Sequence, residues 1–151
     1  MKQIWTPRTD ITPLELAWAA GLFEGEGCIR INPPANHNYG HIEASVSNTD
    51  MDILNFFQSR WPSSRLKKVS VRPDQRDAYC WALQARRALV FLEMIAPYVI
   101  CQRNKDRIWT ACEFQALKSL RRGERPIDYA EQGFNLWHWM GHLNRRGRIA
   151  A

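Results

Sequence analysis

The sequence predicts an α+β fold: one helix, then two strand–strand–helix units whose strands form a single four-stranded antiparallel sheet with helices on its apolar side. Three observations predict it. Apolar residues recur at helical spacing from residue 13 to the glycines at 25 and 27. Residues 28–47 and 65–83 each hold two alternating segments separated by a turn, a weak internal repeat. Each pair then leads into an amphipathic run closed by a proline, Pro62 or Pro97. Extra helices are expected beyond residue 102, so the chain divides into a core over 1–120 and a helical extension over 121–151.

The first helix is announced by Thr12 as N-cap, Pro13 at the first helical position and Glu15 in the first turn. Leu14, Ala17, Trp18, Gly21 and Leu22 recur on one side, and Gly25 and Gly27 supply the stop. Small residues over the last two turns would let another backbone come close. In the strand at 28–32, Ile29 and Ile31 share one face, with Arg30 and Asn32 on the other. Residues 33–40 read as a loop. From 41 to 47, Ile42, Ala44 and Val46 point inward and His41, Glu43 and Ser45 outward.

Asp50 caps a second helix buried through Met51, Leu54, Phe57 and Trp61. A strand is expected over 65–72, with Lys68, Ser70 and Arg72 on its polar side. A turn at 73–77 precedes a strand with Tyr79, Trp81 and Leu83 on one face. Helices follow at 85–96, 102–121 and 127–144, with the linker at 121–126.

The 151 residues are 45% hydrophobic and 24% charged, and the mean hydropathy is −0.45, values of a folded chain. Lacking an apolar run of about 18 residues, the sequence gives no expectation of a membrane span or membrane partner. The N-terminal stretch lacks a signal peptide's apolar centre, so the expected location is the cytoplasm or an organellar matrix, not outside the cell. Net charge is +6, but residues 1–60 carry −3 and residues 61–151 carry +9. Such asymmetry points to a polyanionic partner, nucleic acid above all.

Cys28, Cys80, Cys101 and Cys112 make no C-x-x-C pair and are expected neither in a zinc ribbon nor in disulfides. His138 and His142 share a helix face, but tryptophans surround them and no carboxylate lies between, so a metal site is not assigned there. The polar side of the sheet would present Arg30, Asn32, His41, Glu43, Ser45, Lys68, Ser70 and Arg72, with Tyr39 and Arg76 extending the row. These types donate to phosphates and base edges, Glu43 excepted. Glu24 and Glu26 stand where the helix dipole disfavours negative charge, a place a divalent cation would compensate. Two residues apart on a helix, they cannot both face one partner.

The segment Ala19-Ala20-Gly21-Leu22-Phe23-Glu24-Gly25-Glu26-Gly27 resembles the signature of the LAGLIDADG homing endonucleases in its G-E-G variant. Trp18 before it, Cys28-Ile29-Arg30-Ile31 after it, the element order, and Pro97-Tyr98 extend the resemblance over residues 13–120. The resemblance implies a DNA-binding saddle. It implies a helix that packs on its own copy through Trp18, Gly21, Leu22 and Gly25, and a Glu26 that holds Mg²⁺ or Mn²⁺. One motif per chain then implies a homodimer cutting both strands of a pseudo-palindromic double-stranded DNA site. Asn48 falls where such enzymes carry a polar residue of the water network. Their usual lysine falls on Gln102, a departure, and Arg103 or Lys105 would have to replace it. That departure keeps open a cleavage-deficient binder of the same fold, an intron RNA maturase or a DNA-binding regulator.

Overall fold

The structure, a computed structural model, describes residues 4–32, 40–63, 66–69 and 72–145. Helix α1 (Pro13–Glu26) begins in a reciprocal cap. The Thr12 hydroxyl accepts from the Glu15 amide at 3.2 Å, and the Glu15 carboxylate accepts from the Thr12 amide at 2.9 Å. The same carboxylate is ion-paired with Arg60, fastening the start of α1 to the end of the second helix.

One expectation for α1 is corrected. Gly25 does not stop the helix, which runs on to Glu26 and ends at Gly27. Gly27 has φ −81°, a value open to any residue, so its requirement is space. A Cβ there would stand 2.4 Å from the Phe23 ring and 2.5 Å from the Phe23 carbonyl oxygen. The buried side of α1 is Ala19, Ala20 and Phe23, with Leu16 half-buried. The stripe of Leu14, Ala17, Trp18, Gly21 and Gly25 is exposed, and Leu22 is half-buried. Apolar residues lie on both sides of this helix, and periodicity alone does not say which side the core takes.

Strands β1 (Gly27–Ile31), β2 (Ile42–Asn48), β3 (Lys67–Val69) and β4 (Ala78–Gln84) form one antiparallel sheet in the order β1-β2-β4-β3. The register sets Ile29 opposite Ala44, Ile31 opposite Ile42, Val46 opposite Trp81 and Ala44 opposite Leu83, all on the helix side. Arg30 opposite Glu43, Cys28 opposite Ser45, and Ser45 opposite Ala82 make the open side. Of the expected strand at 65–72, the described residues Lys67–Val69 form β3, whose register pairs Lys68 with Tyr79. Directly opposed residues share a face, so Lys68 belongs to the helix side and Lys67, opposite Cys80, to the open side. The expected parity of this strand was off by one residue, which moves every side chain to the other face.

Helices α2 (Met51–Arg60) and α3 (Ala85–Ile95) close the apolar side. Phe57 lies 4.9 Å from Trp81, and Phe91 lies 4.9 Å from Trp61, 5.0 Å from Trp81 and 5.2 Å from Phe23. The buried indole N–H of Trp81 donates to the Trp61 carbonyl at 2.9 Å, so the polar atom of this ring is satisfied. Pro97 sits inside a short 3₁₀ turn, Ala96–Tyr98, that redirects the chain into α4 (Gln102–Lys118). The final helix, α5 (Tyr129–Leu143), lies against α4 and β1 with Met140 and Leu143 buried. Both last helices are shorter than the expected 102–121 and 127–144. Among the described residues, no helix is long and apolar enough to cross a membrane.

Candidate nucleic-acid interface and carboxylate corner

The two acidic residues at the end of α1 have separate duties. The Glu24 carboxylate accepts from the amides of Cys101 at 2.8 Å and Ile100 at 3.2 Å, and from the Asn104 side chain at 3.4 Å. It caps α4, whose first N–H groups have no partner within the helix. Burial works against its charge, but the hydrogen bonds from Cys101, Ile100 and Asn104 together outweigh it, and its carboxyl titrates below the usual 4.5. A lowered carboxyl stabilises the fold above the unfolded value, and that contribution is lost as pH falls through the folded one. Glu24→Gln is therefore expected to cost about 1 kcal/mol at pH 7. Thermal melts at pH 7 and pH 3 check this, because the two proteins should converge in acid.

Glu26 is exposed and makes no hydrogen bond or ion pair with any described residue. It borders a depression of about 530 Å³ together with Gly25, Gly27, Cys28, Arg30, Arg107 and Asn144. A hard carboxylate oxygen next to the outward carbonyls of a helix end suits Mg²⁺. Among the described residues, no group of three or more His, Cys, Asp or Glu is placed to hold a metal within one chain. The rings of His138 and His142 stack on different neighbours, Phe134 at 6.1 Å and Trp139 at 5.1 Å.

The other expected residues of this corner are spread out. Asn48 ends β2 at the Glu26 end of the sheet, and its side-chain Oδ1 accepts from the Asp50 amide at 2.8 Å. Gln102 donates to Asp106 at 2.9 Å, and Arg103 donates to the Arg145 carbonyl at 2.7 Å. Lys105 is exposed. Gln102, Arg103 and Lys105 do not line the depression; Arg107 and Asn144 do.

On the open sheet face, Arg30 pairs with Glu43 at 2.7 Å, and Gln84 donates to the same carboxylate at 2.9 Å. Glu43 keeps its expected place on the open face, but these partners cover it, leaving it only 7% exposed. It serves as the anchor that aims Arg30, a buried charge kept tolerable by its partners. Asn32 and His41 meet at 2.9 Å between side chains, continuing the Arg30–Glu43 row. Ser45 is half-buried, while Arg72 and Arg76 are exposed in and beside the turn before β4. Lys68 pairs with Asp77 at 3.1 Å instead of facing the open side. Tyr39 and Ser70 lie outside the described residues. Lys67 and Gln84 line a second hollow of about 370 Å³ with Arg30 and Glu43. Lys67 depends on the β3 register, whereas Gln84 follows from the Tyr79–Trp81–Leu83 alternation, which places it on the opposite face.

An exposed, glycine-bearing helix that ends in a carboxylate and passes without a loop into a polar-faced antiparallel sheet defines a class. The chain has the fold of the LAGLIDADG homing endonucleases. The archaeal intron-encoded homing endonuclease I-Vdi141I, solved with DNA, superposes with a TM-score of 0.69 at 12% identity over 91% of this chain and 89% of that one. The homing endonuclease I-CvuI, with DNA that was not cleaved in the presence of 2 mM Mg, gives 0.64 at 21% identity over 90% and 86%. The I-SmaMI LAGLIDADG homing endonuclease bound to cleaved DNA gives 0.59 at 12% identity over 91% of this chain but 51% of its own. No family model and no curated protein matches the sequence.

Proposed function

We propose that this chain is a site-specific DNA endonuclease that works as a homodimer and makes a Mg²⁺-dependent double-strand break in a long pseudo-palindromic site. The observation that carries this reading is Glu26: an exposed carboxylate at the junction of an exposed glycine stripe and a basic open sheet. A pure binder gains nothing from a carboxylate directed at phosphate. Gly21 and Gly25 support the dimer, since a Cβ at either would meet nothing within 4 Å in this chain. The same support comes from I-SmaMI, of which this chain spans about half.

In this reading, residues 1–120 form the unit that binds and cuts, and 121–151 extend it. Arg30, Asn32, His41, Ser45 and Lys67 contact the duplex, with Arg72 and Arg76 at its outer part. Two copies of Glu26 would hold the metal, which when bound activates water and stabilises phosphate charge. Asn48 orders the neighbouring turn through Asp50. The work belongs in a compartment that holds DNA.

Gln102 favours a second reading, a cleavage-deficient binder of RNA or DNA, because a neutral amide bonded to Asp106 cannot offset phosphate charge. A plasmid carrying the joined sequences that flank the gene separates the two. Linearisation in Mg²⁺, absent in EDTA, is the expected result. Tight binding with no cutting in Mg²⁺ or Mn²⁺ would establish the binder.

A further inference from the structure

We infer that the C-terminal helix completes the cutting corner, its Leu143–Asn144 end holding Arg107 beside Glu26 as the cation that position 102 does not supply. The inference rests on the endonuclease reading and extends it to residues beyond the motif-bearing core. Arg107 and Asn144 border the same depression as Glu26, one contributed by α4 and the other by the end of α5. Arg107 is 6% exposed, and its guanidinium is fixed at both ends. It donates to the Asn104 side chain at 2.9 Å and to the Leu143 carbonyl at 2.9 Å.

The surrounding bonds make this a braced unit. Asn104 also reaches Glu24, which caps α4, so the helix that carries Arg107 is tied to the helix that carries Glu26. Asn144 donates to the Ile29 carbonyl at 2.9 Å, and the Arg145 carbonyl receives Arg103 at 2.7 Å. The last carbonyls of α5 have no acceptor duty inside their helix and attract cations, which explains why two arginines of α4 converge there. Arg103 is thereby directed at the backbone of residue 145, leaving Arg107 as the α4 cation that lines the depression.

The chemistry gives that position a use. Phosphodiester hydrolysis builds negative charge on the phosphate oxygens and the leaving oxygen, and Glu26 adds more of the same sign. A cation held rigidly at the margin of the interior stabilises such charge more than an exposed one does, and without reorganisation. Asn144 is a positioning residue in this scheme, since it acts by fixing the end of α5 on β1.

The test uses the full chain and a linear duplex joining the two sequences that flank the gene, with single-turnover cutting and gel-shift affinity read separately. Arg107→Met is expected to slow cutting about 10²-fold with affinity changed less than about threefold. Asn144→Ala is expected to slow it about tenfold. Adding Gln102→Lys to either variant is expected to restore cutting about tenfold, a rescue that a merely structural staple would not show. Cutting by Arg107→Met within threefold of the parent overturns the inference, as does loss without rescue. If Arg107→Met loses its cooperative melt, Asn144→Ala decides: parental cutting overturns the inference, and slowed cutting rescued by Gln102→Lys upholds it. A parent that cuts no duplex removes the endonuclease reading and this inference together, whereas a cutting parent with equally active variants removes the inference alone.

Discussion

Glu26→Gln is expected to abolish strand cleavage, by at least about 10³-fold in single-turnover rate, while leaving the fold and the affinity for DNA in place. Under the proposed reading the size follows from the loss of a carboxylate that would hold the metal: several kcal/mol of charge stabilisation disappear, at about 1.4 kcal/mol per tenfold. The fold is spared because Glu26 is exposed and bonded to no described residue, and substitutions at such positions stay within about 0.5 kcal/mol. Affinity should hold or rise slightly, because one negative charge near phosphate is removed. A variant that still cuts at the parental rate would place the catalytic carboxylate elsewhere. The contrast with Glu24→Gln sharpens the test, since that change should reduce stability through the α4 cap and leave Glu26 intact.

The second large effect concerns the exposed stripe of α1. Glycine in a helix interior costs about 1 kcal/mol relative to alanine, and this chain accepts that cost twice with nothing packed above either position. Gly21→Ala with Gly25→Ala is therefore expected to raise the melting temperature of the monomer by about 2–4 °C per substitution. Gly25→Leu should have the opposite consequence for assembly. If α1 packs on its own copy as proposed, a branched side chain between the two helices is expected to weaken the dimer at least about 10²-fold, and double-strand cutting should fall in step. Sedimentation of the parent and the Leu variant at equal concentrations reads the first effect directly. A parent that sediments as a single chain at all concentrations would remove the dimer.

Local chemistry was legible wherever one short stretch decided the outcome. Thr12, Pro13 and Glu15 announced the start of α1, and the Ile29–Ile31 and Ile42–Val46 alternations gave the inner face of β1 and β2. The sequence was less informative where a choice between two faces had to be made. α1 carries apolar residues on both sides, and only packing against α3 shows that Ala19, Ala20 and Phe23 are the core. β3 lies at the sheet edge and carries two consecutive lysines, so its parity is set by pairing with β4 and not by its own pattern.

The carboxylate corner shows the same limit. Sequence spacing said that Glu24 and Glu26 would part company, but which of them faces outward depends on where the start of α4 lies. Arg107 carried a faint signal, a charged residue one place before Ile108 in a helix whose buried positions continue through Ala111 and Phe114. Asn144 carried none, because its position beside Ile29 is created by the return of α5 across the sheet.

The direct passage from Glu26 to Gly27 has a further consequence, for how such a protein can change its target. The carboxylate is linked to the sheet by a single peptide bond, so its position relative to the open face is set covalently and not by loop sequence. Ser45 and Lys67 stand on that face outside the hydrophobic core, where substitutions cost little stability. Under the proposed reading, the residues that choose a sequence can drift while the group that cuts stays in register with them. Retargeting and cutting are separable in this fold, and the absent loop keeps them so.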